Sequence, residues 1–317
     1  MLTLLARSAW LKRLASRYGM RPGGFARRFI AGENEAEAIE AARRLQARGR
    51  LLTLDYLGES VATAEQALAA AREYVRLVDL LVAEGVELNL SVKLTQLGLR
   101  VDLATCTDNL RRILEPTRRH DGFVRIDMEG SAYTDLTLQI FETLWGLDYR
   151  NVGVVLQSSL HRTDRDVARM NELGARVRLV KGAYKEPPAV AHRLKADVDA
   201  AYLRQMRLLL DHGTYPAFAT HDEVILKAIR DYAAERGIAA DRYELQLLYG
   251  IRRDLQAALI AGGCRVRVYV PFGKEWFPYF MRRLGERPAN VTSVAAALVG
   301  EWRGPRHVDA ADRNDLR

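Results

Sequence analysis

The amino-acid sequence predicts an α/β fold, a (β/α)8 barrel, and three observations carry that prediction. Short apolar runs rich in β-branched residues recur along the chain, with amphipathic helical patterns between them. There are eight such runs, and eight strand–helix repeats are the number that closes a barrel of this class. The first strand–helix turn, LDYLGES, lacks the GxGxxG pattern that a doubly wound dinucleotide-binding sheet usually carries. The predicted strands are 51–58, 88–94, 123–130, 152–157, 176–182, 217–221, 243–248 and 266–271.

The segments around these strands predict the domain organisation. Residues 1–50 are expected to form a basic N-terminal helical arm, residues 51–303 the barrel domain, and residues 304–317 a flexible tail. A last helix, in PFGKEWFPYFMRRLGERP, follows the eighth strand and is expected to lie over the barrel mouth. No apolar run reaches the roughly 18–20 residues that a membrane-spanning helix needs.

Composition is that of an ordinary globular protein: 317 residues, of which 49% are hydrophobic and 28% charged. The two cysteines fit no metal-ligand spacing and indicate core residues in a reducing compartment. Residues 1–31 carry seven basic residues and no acid, which leaves the rest of the chain near neutral although the net charge is +8. That distribution argues against a nucleic-acid groove on the main body. Three interpretations of the basic segment stay open: a membrane-surface helix, a transit-like peptide, or an arm packed on the main domain.

Polar residues stand near the end of every predicted strand, where apolar packing does not call for them. In a barrel of this class the carboxyl ends of the strands form the active site, so these side chains predict a mouth that binds a large polar ligand. They are Asp55, Lys93, Asp127 with Glu129, Gln157, Arg178 with Lys181, His221, Gln246 with Glu244, and Tyr269.

Single residues of this set leave alternatives open. Lys93 is buried by its strand context and needs an acidic partner, for which Asp55 and Asp127 on neighbouring strands are the natural candidates. The pair is either structural, or shapes a substrate pocket, or contains a Schiff-base lysine. Gly182 allows the backbone to approach a ligand closely beside Arg178 and Lys181, cations that suit a phosphate or a negatively charged ring; a barrel-rim ion pair is the alternative. His221 has no second histidine at metal spacing, so a base or hydrogen-bonding role is favoured over a metal site.

The stretch YFMRRLGERPAN places two adjacent arginines, Arg282 and Arg283, on one helix face with Tyr279 and Glu286. Guanidinium groups bind carboxylates in bidentate fashion, so the pair predicts a grip on a small carboxylate, with Glu286 holding one arginine in place. A solvated basic helix face is the alternative.

Taken together and in this order, the motifs resemble the monofunctional bacterial proline dehydrogenases, from RRFIAGE (27–33) to ERPAN (286–290). The motifs that carry the resemblance are LDYLGE, SVKLTQLGL, IDMEGS, RLVKGAYKE, FATHD, YELQLLYGI, RVYVPFG and YFMRRLGERPAN. The resemblance implies a distorted (β/α)8 barrel with bound FAD. It also implies oxidation of L-proline to Δ1-pyrroline-5-carboxylate by hydride transfer from C5 to flavin N5, with the electrons passed to a membrane quinone.

The resemblance also implies roles for individual residues. Arg282, Arg283 and Lys93 resemble the residues that bind the proline carboxylate, and Glu286 resembles the glutamate that pairs with the arginines. Tyr269 and Tyr279 resemble the aromatic walls of the pocket, Asp127 the acid beside it, and Arg178 the arginine at flavin N5. Residues similar to those lining the FAD are Gln157, Val180, Lys181, Gly182, Tyr184, Thr220, His221 and Gln246, with His192, Arg193 and Lys195 as candidates for its phosphates.

Two other functions compete with this one: a class I aldolase-type barrel with a Schiff-base lysine, and an adaptor that uses the basic arm on membranes or nucleic acid. The resemblance itself favours a cytoplasmic enzyme without nucleic-acid binding. It leaves open whether residues 1–31 make peripheral contact with the inner face of the cytoplasmic membrane.

Overall fold

The structure, a computed structural model, describes residues 20–21 and 24–286, apart from the side chains of residues 25 and 284–286. The chain divides into two compact units, which are described separately. The larger is Phe29–Lys274, and the smaller takes in the described residues on either side of it. Residues 1–19 and 22–23 of the predicted basic arm and the whole predicted tail lie outside the described residues.

Eight parallel strands pair in chain order, and the last pairs with the first, so that the sheet closes into a barrel. The predicted fold class is therefore confirmed: seven predicted strands contain the observed one, and β8 extends one residue past its predicted end. The strands are β1 (Leu51–Tyr56), β2 (Asn89–Val92), β3 (Phe123–Ile126), β4 (Val152–Gln157), β5 (Arg176–Val180), β6 (Ala217–Ala219), β7 (Glu244–Leu248) and β8 (Val266–Phe272).

Helices connect the strands, and several begin at the polar residue that the sequence supplies for the purpose. Thr63, Asp102 and Asp222 each accept a hydrogen bond from a backbone N–H in the first turn of the helix that follows. The α-helices of the described residues are α1 (Glu35–Gln46), α2 (Ala64–Ala83), α3 (Leu103–Arg119), α4 (Thr134–Gly146), α5 (Thr163–Glu172), α6 (Lys195–His212), α7 (Glu223–Glu235), α8 (Arg253–Ala261) and α9 (Trp276–Glu286).

The outer face of the barrel is apolar. Alternate strand residues such as Leu52, Leu90 and Val268 are fully buried beneath the helices. Helix α1 lies within the segment predicted as the arm, and its buried residues belong to this same core. Because side chains alternate across a strand, the remaining strand residues point into the barrel. Many of these are charged, whereas bulky aliphatic side chains usually fill a barrel of this class.

A buried ionic layer closes the end of the barrel where the strands begin. Glu244, the first residue of β7, pairs with Arg267 through two hydrogen bonds of 2.8 and 3.0 Å, and Arg267 also reaches Glu87 at 2.7 Å. Burial opposes the charge of Glu244, but pairing with Arg267 lowers the pKa of Glu244 to about 2. The prediction that Glu244 lies at the mouth is thus wrong, because alternation places a residue inside a barrel without fixing its depth.

The smaller unit contains helix α9, whose apolar side is formed by rings. Trp276 is buried and lies edge-on to Phe277 and Phe280, with ring centroids 5.9 Å apart in both pairs. The position of this helix over the barrel mouth stays a prediction. Within the described residues, no helix has the length and apolar character that crossing a bilayer requires.

Candidate active site

The carboxyl ends of the strands hold a ring of five polar side chains that meet inside the barrel. Lys93 Nζ lies 2.7 Å from Asp55 Oδ2 and 3.6 Å from Asp127 Oδ2. Tyr269 Oη lies 2.5 Å from Asp55 Oδ2 and 2.8 Å from Asp127 Oδ2. Arg178 Nη1 donates to Asp127 Oδ1 at 2.7 Å. The acidic partners predicted for Lys93 are confirmed.

Strand register brings these residues together. On β1, Asp55 stands opposite Ser91 of β2 and Pro271 of β8, which puts it at the same height as both neighbouring strand ends. Lys93 and Asp127 each follow the last residue of their strand, and the Asp127 N–H continues the ladder by donating to Val92 O at 2.9 Å. A one-residue slip would turn all these side chains towards the helices.

Burial sets the charge properties of the ring. Asp55 is fully buried, and burial raises its pKa; Lys93 opposes that effect and the charge of Asp127 adds to it. One oxygen of this carboxyl, Oδ1, has no hydrogen-bond partner among the described residues. Asp127 is the more accessible acid, with 15% of its side chain exposed against 0% for Asp55. The ring therefore contains one acid that is shielded from solvent, Asp55, and one that is partly accessible to it, Asp127.

Arg178 is fixed from two sides. Its Nη1 donates to Asp127, and its Nη2 donates to Ser91 Oγ at 3.0 Å, while the guanidinium lies 5.5 Å from the ring centre of Tyr269. Its Nε is buried and has no hydrogen-bond partner within the described part of the chain. A buried donor of this kind fits a ligand acceptor at the barrel mouth.

The ends of β4 and β5 form a polar cradle that tests whether a flavin fits. Gln157 donates through Nε2 to Glu129 O at 2.7 Å, but its Oε1 and the hydroxyl of Ser159 are buried without hydrogen-bond partners among the described residues. Gly182 passes beside them with φ +112°, and a Cβ there would lie 2.3 Å from Ser159 Oγ. Together with Arg178 these atoms offer both donors and acceptors, which is the pattern that the edge of a flavin ring requires. The residues fit the cofactor that the motifs predict.

Lys181 takes part in ion pairs, the alternative considered for it, within a neutral cluster whose acidic members the sequence motifs did not name. Its ammonium lies 2.6 Å from Asp199 Oδ1 and 2.7 Å from Asp222 Oδ2, and Lys195 contacts both carboxylates too. The hydrogen bond from Lys181 lowers the pKa of Asp222 to about 2, against the effect of its partial burial. Two signals were available: Asp222 precedes α7 as an N-cap, and Asp199 stands four residues after Lys195 on α6.

Other residues predicted to line the cofactor occupy neighbouring positions. His221 Nε2 accepts a hydrogen bond from Leu248 N at 3.2 Å, and Thr220 Oγ1 accepts one from Asp222 N at 3.1 Å. Gln246 donates its side-chain amide to Glu244, the residue at the far end of the barrel. Val180 is the last residue of β5, and Tyr184 is exposed on the loop that follows it. Their cofactor contacts stay predictions.

The phosphate candidates lie on or beside the loop between β5 and α6. His192 N donates to Ser159 O at 2.8 Å, and its ring stands edge-on to His161 with centroids 4.5 Å apart. Arg193 follows on this loop, and Lys195 begins α6 inside the acidic cluster. This loop is thus pinned against the end of β4.

Of the residues predicted to bind the carboxylate, Arg282 and Arg283 lie on α9, in the smaller unit. The Arg283 guanidinium lies 5.0 Å from the ring centre of Tyr279, and Arg282 is partly exposed beside it. Glu286 ends the helix, but its side chain lies outside the described residues. The relation of these groups to the barrel ring stays a prediction.

Comparisons with known proteins agree with the motifs. The proline dehydrogenase family model matches residues 38–296. Proline dehydrogenase 1 of Bacillus subtilis subsp. natto is 39% identical over 295 residues, which cover 93% of this chain and 97% of that protein. The proline dehydrogenase of Deinococcus radiodurans is 40% identical over 278 residues, which cover 86% of this chain and 90% of that protein.

Solved structures show the same relation. A crystal structure of proline utilization A from Bdellovibrio bacteriovorus, inactivated by N-propargylglycine, matches with a TM-score of 0.77 and 27% identity. The match covers 82% of this chain but only 32% of that longer one. Because both the family match and the Bacillus relative extend over most of the sequence, the chain belongs to the proline dehydrogenase family.

Proposed function

We propose that this chain oxidises L-proline to Δ1-pyrroline-5-carboxylate with a bound FAD and passes the electrons to a membrane quinone. Family membership makes it an oxidoreductase of proline catabolism. The observation that carries the finer proposal is the buried ring of Lys93, Arg178, Asp55 and Asp127 at the carboxyl ends of the strands, beside polar atoms that lack partners among the described residues. Such a site suits a polar ligand that carries both charges.

Residues at the ends of β4 to β6 would hold the flavin. Gln157 and Arg178 offer an acceptor and a donor to its ring, and Gly182 leaves room for the backbone to pass. When bound, a flavin supplies the two-electron acceptor for the carbon–hydrogen bond at C5 of proline. The positive charge of Arg178, fixed by Asp127 and Ser91, favours negative charge beside it.

Proline would be oriented by its carboxylate. From the motif, we assign that group to Arg282, Arg283 and Lys93, with Glu286 pairing with the arginines. Charge-assisted hydrogen bonds from guanidinium and ammonium groups fix both position and angle, and orientation alone contributes several kcal/mol to lowering a barrier. Tyr269 and Tyr279 are assigned to the walls of the pocket around the ring.

The geometry argues against the aldolase-type alternative. A Schiff-base lysine must be neutral when it attacks a carbonyl. Lys93 lies within 3.6 Å of two carboxylates and Lys181 within 2.7 Å of two others, so both amines are engaged in ion pairs that a carbonyl substrate would have to displace.

The absorbance spectrum of the purified protein, recorded anaerobically before and after proline, tests the proposal. We expect the bands of an oxidised flavin, bleaching by L-proline, and a product that lacks two hydrogens of proline. Mass spectrometry of the released cofactor checks FAD, and turnover with a soluble quinone against a dye checks the acceptor. A colourless protein, or a flavin that proline does not bleach, would contradict the proposal.

A further inference from the structure

Three oxygen atoms form a row inside the barrel, and their spacing bears on the proton that proline's amine must lose before C5 can be oxidised. Asp55 Oδ2 lies 2.5 Å from Tyr269 Oη, which lies 2.8 Å from Asp127 Oδ2. These residues come from β1, β8 and the end of β3, so the row crosses the barrel interior. The inference rests on the proposed function, since the proton comes from bound proline.

The row contains one proton fewer than its geometry requires when both acids are ionised. Oxygen atoms this close are joined by a hydrogen, so two contacts need two protons. The hydroxyl of Tyr269 supplies one, and an ionised carboxylate supplies none. Lys93 donates to Asp55 Oδ2 at 2.7 Å and to Tyr269 Oη at 3.3 Å, from outside the two contacts. With both acids ionised, the row therefore has a place for one more proton, and that place is on a carboxyl group.

Asp55 is the carboxyl that suits this proton. It is fully buried, its Oδ1 has no hydrogen-bond partner among the described residues, and burial raises its pKa. Asp127 instead accepts a charge-assisted hydrogen bond from Arg178 and is more exposed. The charged and titratable groups that face Asp55 are Lys93 after β2, Asp127 after β3, Arg178 on β5, Tyr269 on β8 and Tyr74 on α2.

We propose that the row Asp127–Tyr269–Asp55 accepts the amine proton of proline and stores it on Asp55. The proton enters at Asp127 Oδ2, which belongs to the more exposed of the two acids, as the N–H bond breaks. It passes to Tyr269 Oη while the tyrosine proton moves to Asp55 Oδ2. One N–H bond is lost and one O–H bond is gained, the amine becomes neutral, and C5 can then release its electron pair. Asp55 does not contact the substrate. It acts through Tyr269, as a positioning residue that holds the transferred proton.

The first test measures the rate of flavin reduction by proline, and kcat/KM, across pH in wild type and in Tyr269→Phe. Acid should slow the wild type, because the row fills before proline binds. Tyr269→Phe should lower kcat/KM at neutral pH by about 10²-fold or more, the usual size of a proton-transfer contribution. In this variant the loss of activity on the acid side of the pH profile, the acid limb, should move to lower pH. Within the row the hydroxyl makes two hydrogen bonds when the row holds its second proton and one when it does not, so without the hydroxyl the row is harder to protonate.

Tyr202→Phe is the matched control. It also removes a buried tyrosine hydroxyl, one that donates to Leu179 O at 3.2 Å on β5, outside the row. This variant should keep the acid limb of the wild type.

The second test observes the proton itself by infrared spectroscopy of the holoenzyme labelled with ¹³C-aspartate. A carbonyl band of a protonated carboxylic acid should grow as pH falls, with the midpoint of the wild-type acid limb, and should be missing in Asp55→Asn. If proline bleaches the flavin but no such band appears, or Tyr269→Phe keeps the wild-type limb, the inference is overturned while the proposed function stands. If proline leaves the flavin oxidised at every pH, the proposed function fails and the inference falls with it.

Discussion

Replacing Gly182 with alanine tests whether the polar cradle at the ends of β4 and β5 leaves room for a side chain at this position. The backbone at Gly182 has φ +112°, a conformation that side-chain-bearing residues rarely adopt. A Cβ would lie 2.3 Å from Ser159 Oγ and 3.0 Å from Gln157 Oε1. The sequence predicts close approach of a ligand at this glycine, and in the structure the side chains of Ser159 and Gln157 lie where its Cβ would be.

The two effects set the expected loss of stability. The unfavourable φ costs about 1–3 kcal/mol. The overlap costs a further ~1–3 kcal/mol, towards the lower end because the serine side chain can rotate. We therefore expect Gly182→Ala to lower the free energy of unfolding by about 2–4 kcal/mol. The flavin content should fall as well, because relief of the overlap moves Ser159 or the loop after β5.

Denaturant titration followed by far-UV circular dichroism measures the first quantity, and the ratio of flavin to protein absorbance measures the second. Gly237→Ala is the control, since Gly237 has φ +66° and no atom within 4 Å of an added Cβ. It should cost only the ~1–2 kcal/mol of a left-handed residue. Adding Ser159→Ala to Gly182→Ala should restore part of the difference. Equal losses in Gly182→Ala and Gly237→Ala would refute the reasoning.

Three further predictions concern the charged groups. Arg283→Met should raise KM for proline by about 10²-fold or more with normal flavin content, since a carboxylate loses a charge-assisted partner; an unchanged KM with lowered flavin content would contradict the assigned role. Glu244→Gln should lower the free energy of unfolding by about 3–5 kcal/mol, because it removes the buried one of the two carboxylates that pair with Arg267 and leaves only Glu87. Although burial opposes it, pairing with Arg267 lowers the pKa of Glu244 from 4.5 to about 2. Wild type should thus lose roughly 3 kcal/mol as pH falls from about 5 towards 2, and the variant should lack this part of the acid dependence in denaturant titrations. Ser91→Ala should slow flavin reduction several-fold and shift the flavin potential, because Arg178 loses the hydrogen bond to its Nη2; Ser91→Thr should restore both, and unchanged values in Ser91→Ala would contradict the role.

The strands could be predicted because their outer faces carry the information. Leu52, Leu90 and Val268 belong to short apolar runs whose alternate residues contact the helices, and eight such runs are enough to close a barrel. The salt bridge of Lys93 with Asp55 could also be predicted, because a buried ammonium requires an acid and neighbouring strand ends supply one.

Depth and partner choice could not be predicted in the same way. Glu244 and Tyr269 both point into the barrel, but one is the first residue of its strand and the other is central to the next. The alternation of side chains along a strand predicts whether a residue points into the barrel. Its position along the barrel axis depends on the stagger between neighbouring strands, which cannot be read from the sequence. Lys181 finds Asp199, which is distant in sequence, only because the loop after β5 folds back over the strand ends.

The motifs assign two regions to proline, the ring at the strand ends and the arginine pair of α9, and the charge balance inside the barrel gives a reason for their different charges. The positive charges of Lys93 and Arg178 are matched by the negative charges of Asp55 and Asp127, so the four charged members of the ring sum to zero. The ring therefore has no net charge that would attract either the carboxylate or the ammonium group of a zwitterion. A bound carboxylate needs added cations, which the proposed function assigns to the adjacent arginines Arg282 and Arg283. An ammonium group needs either a free acid or a place to leave its proton. Since both acids already have cationic partners, the proposed transfer moves the positive charge from the amine to the row: the ring changes from neutral to one positive charge, and the amine of proline takes the neutral form that oxidation requires.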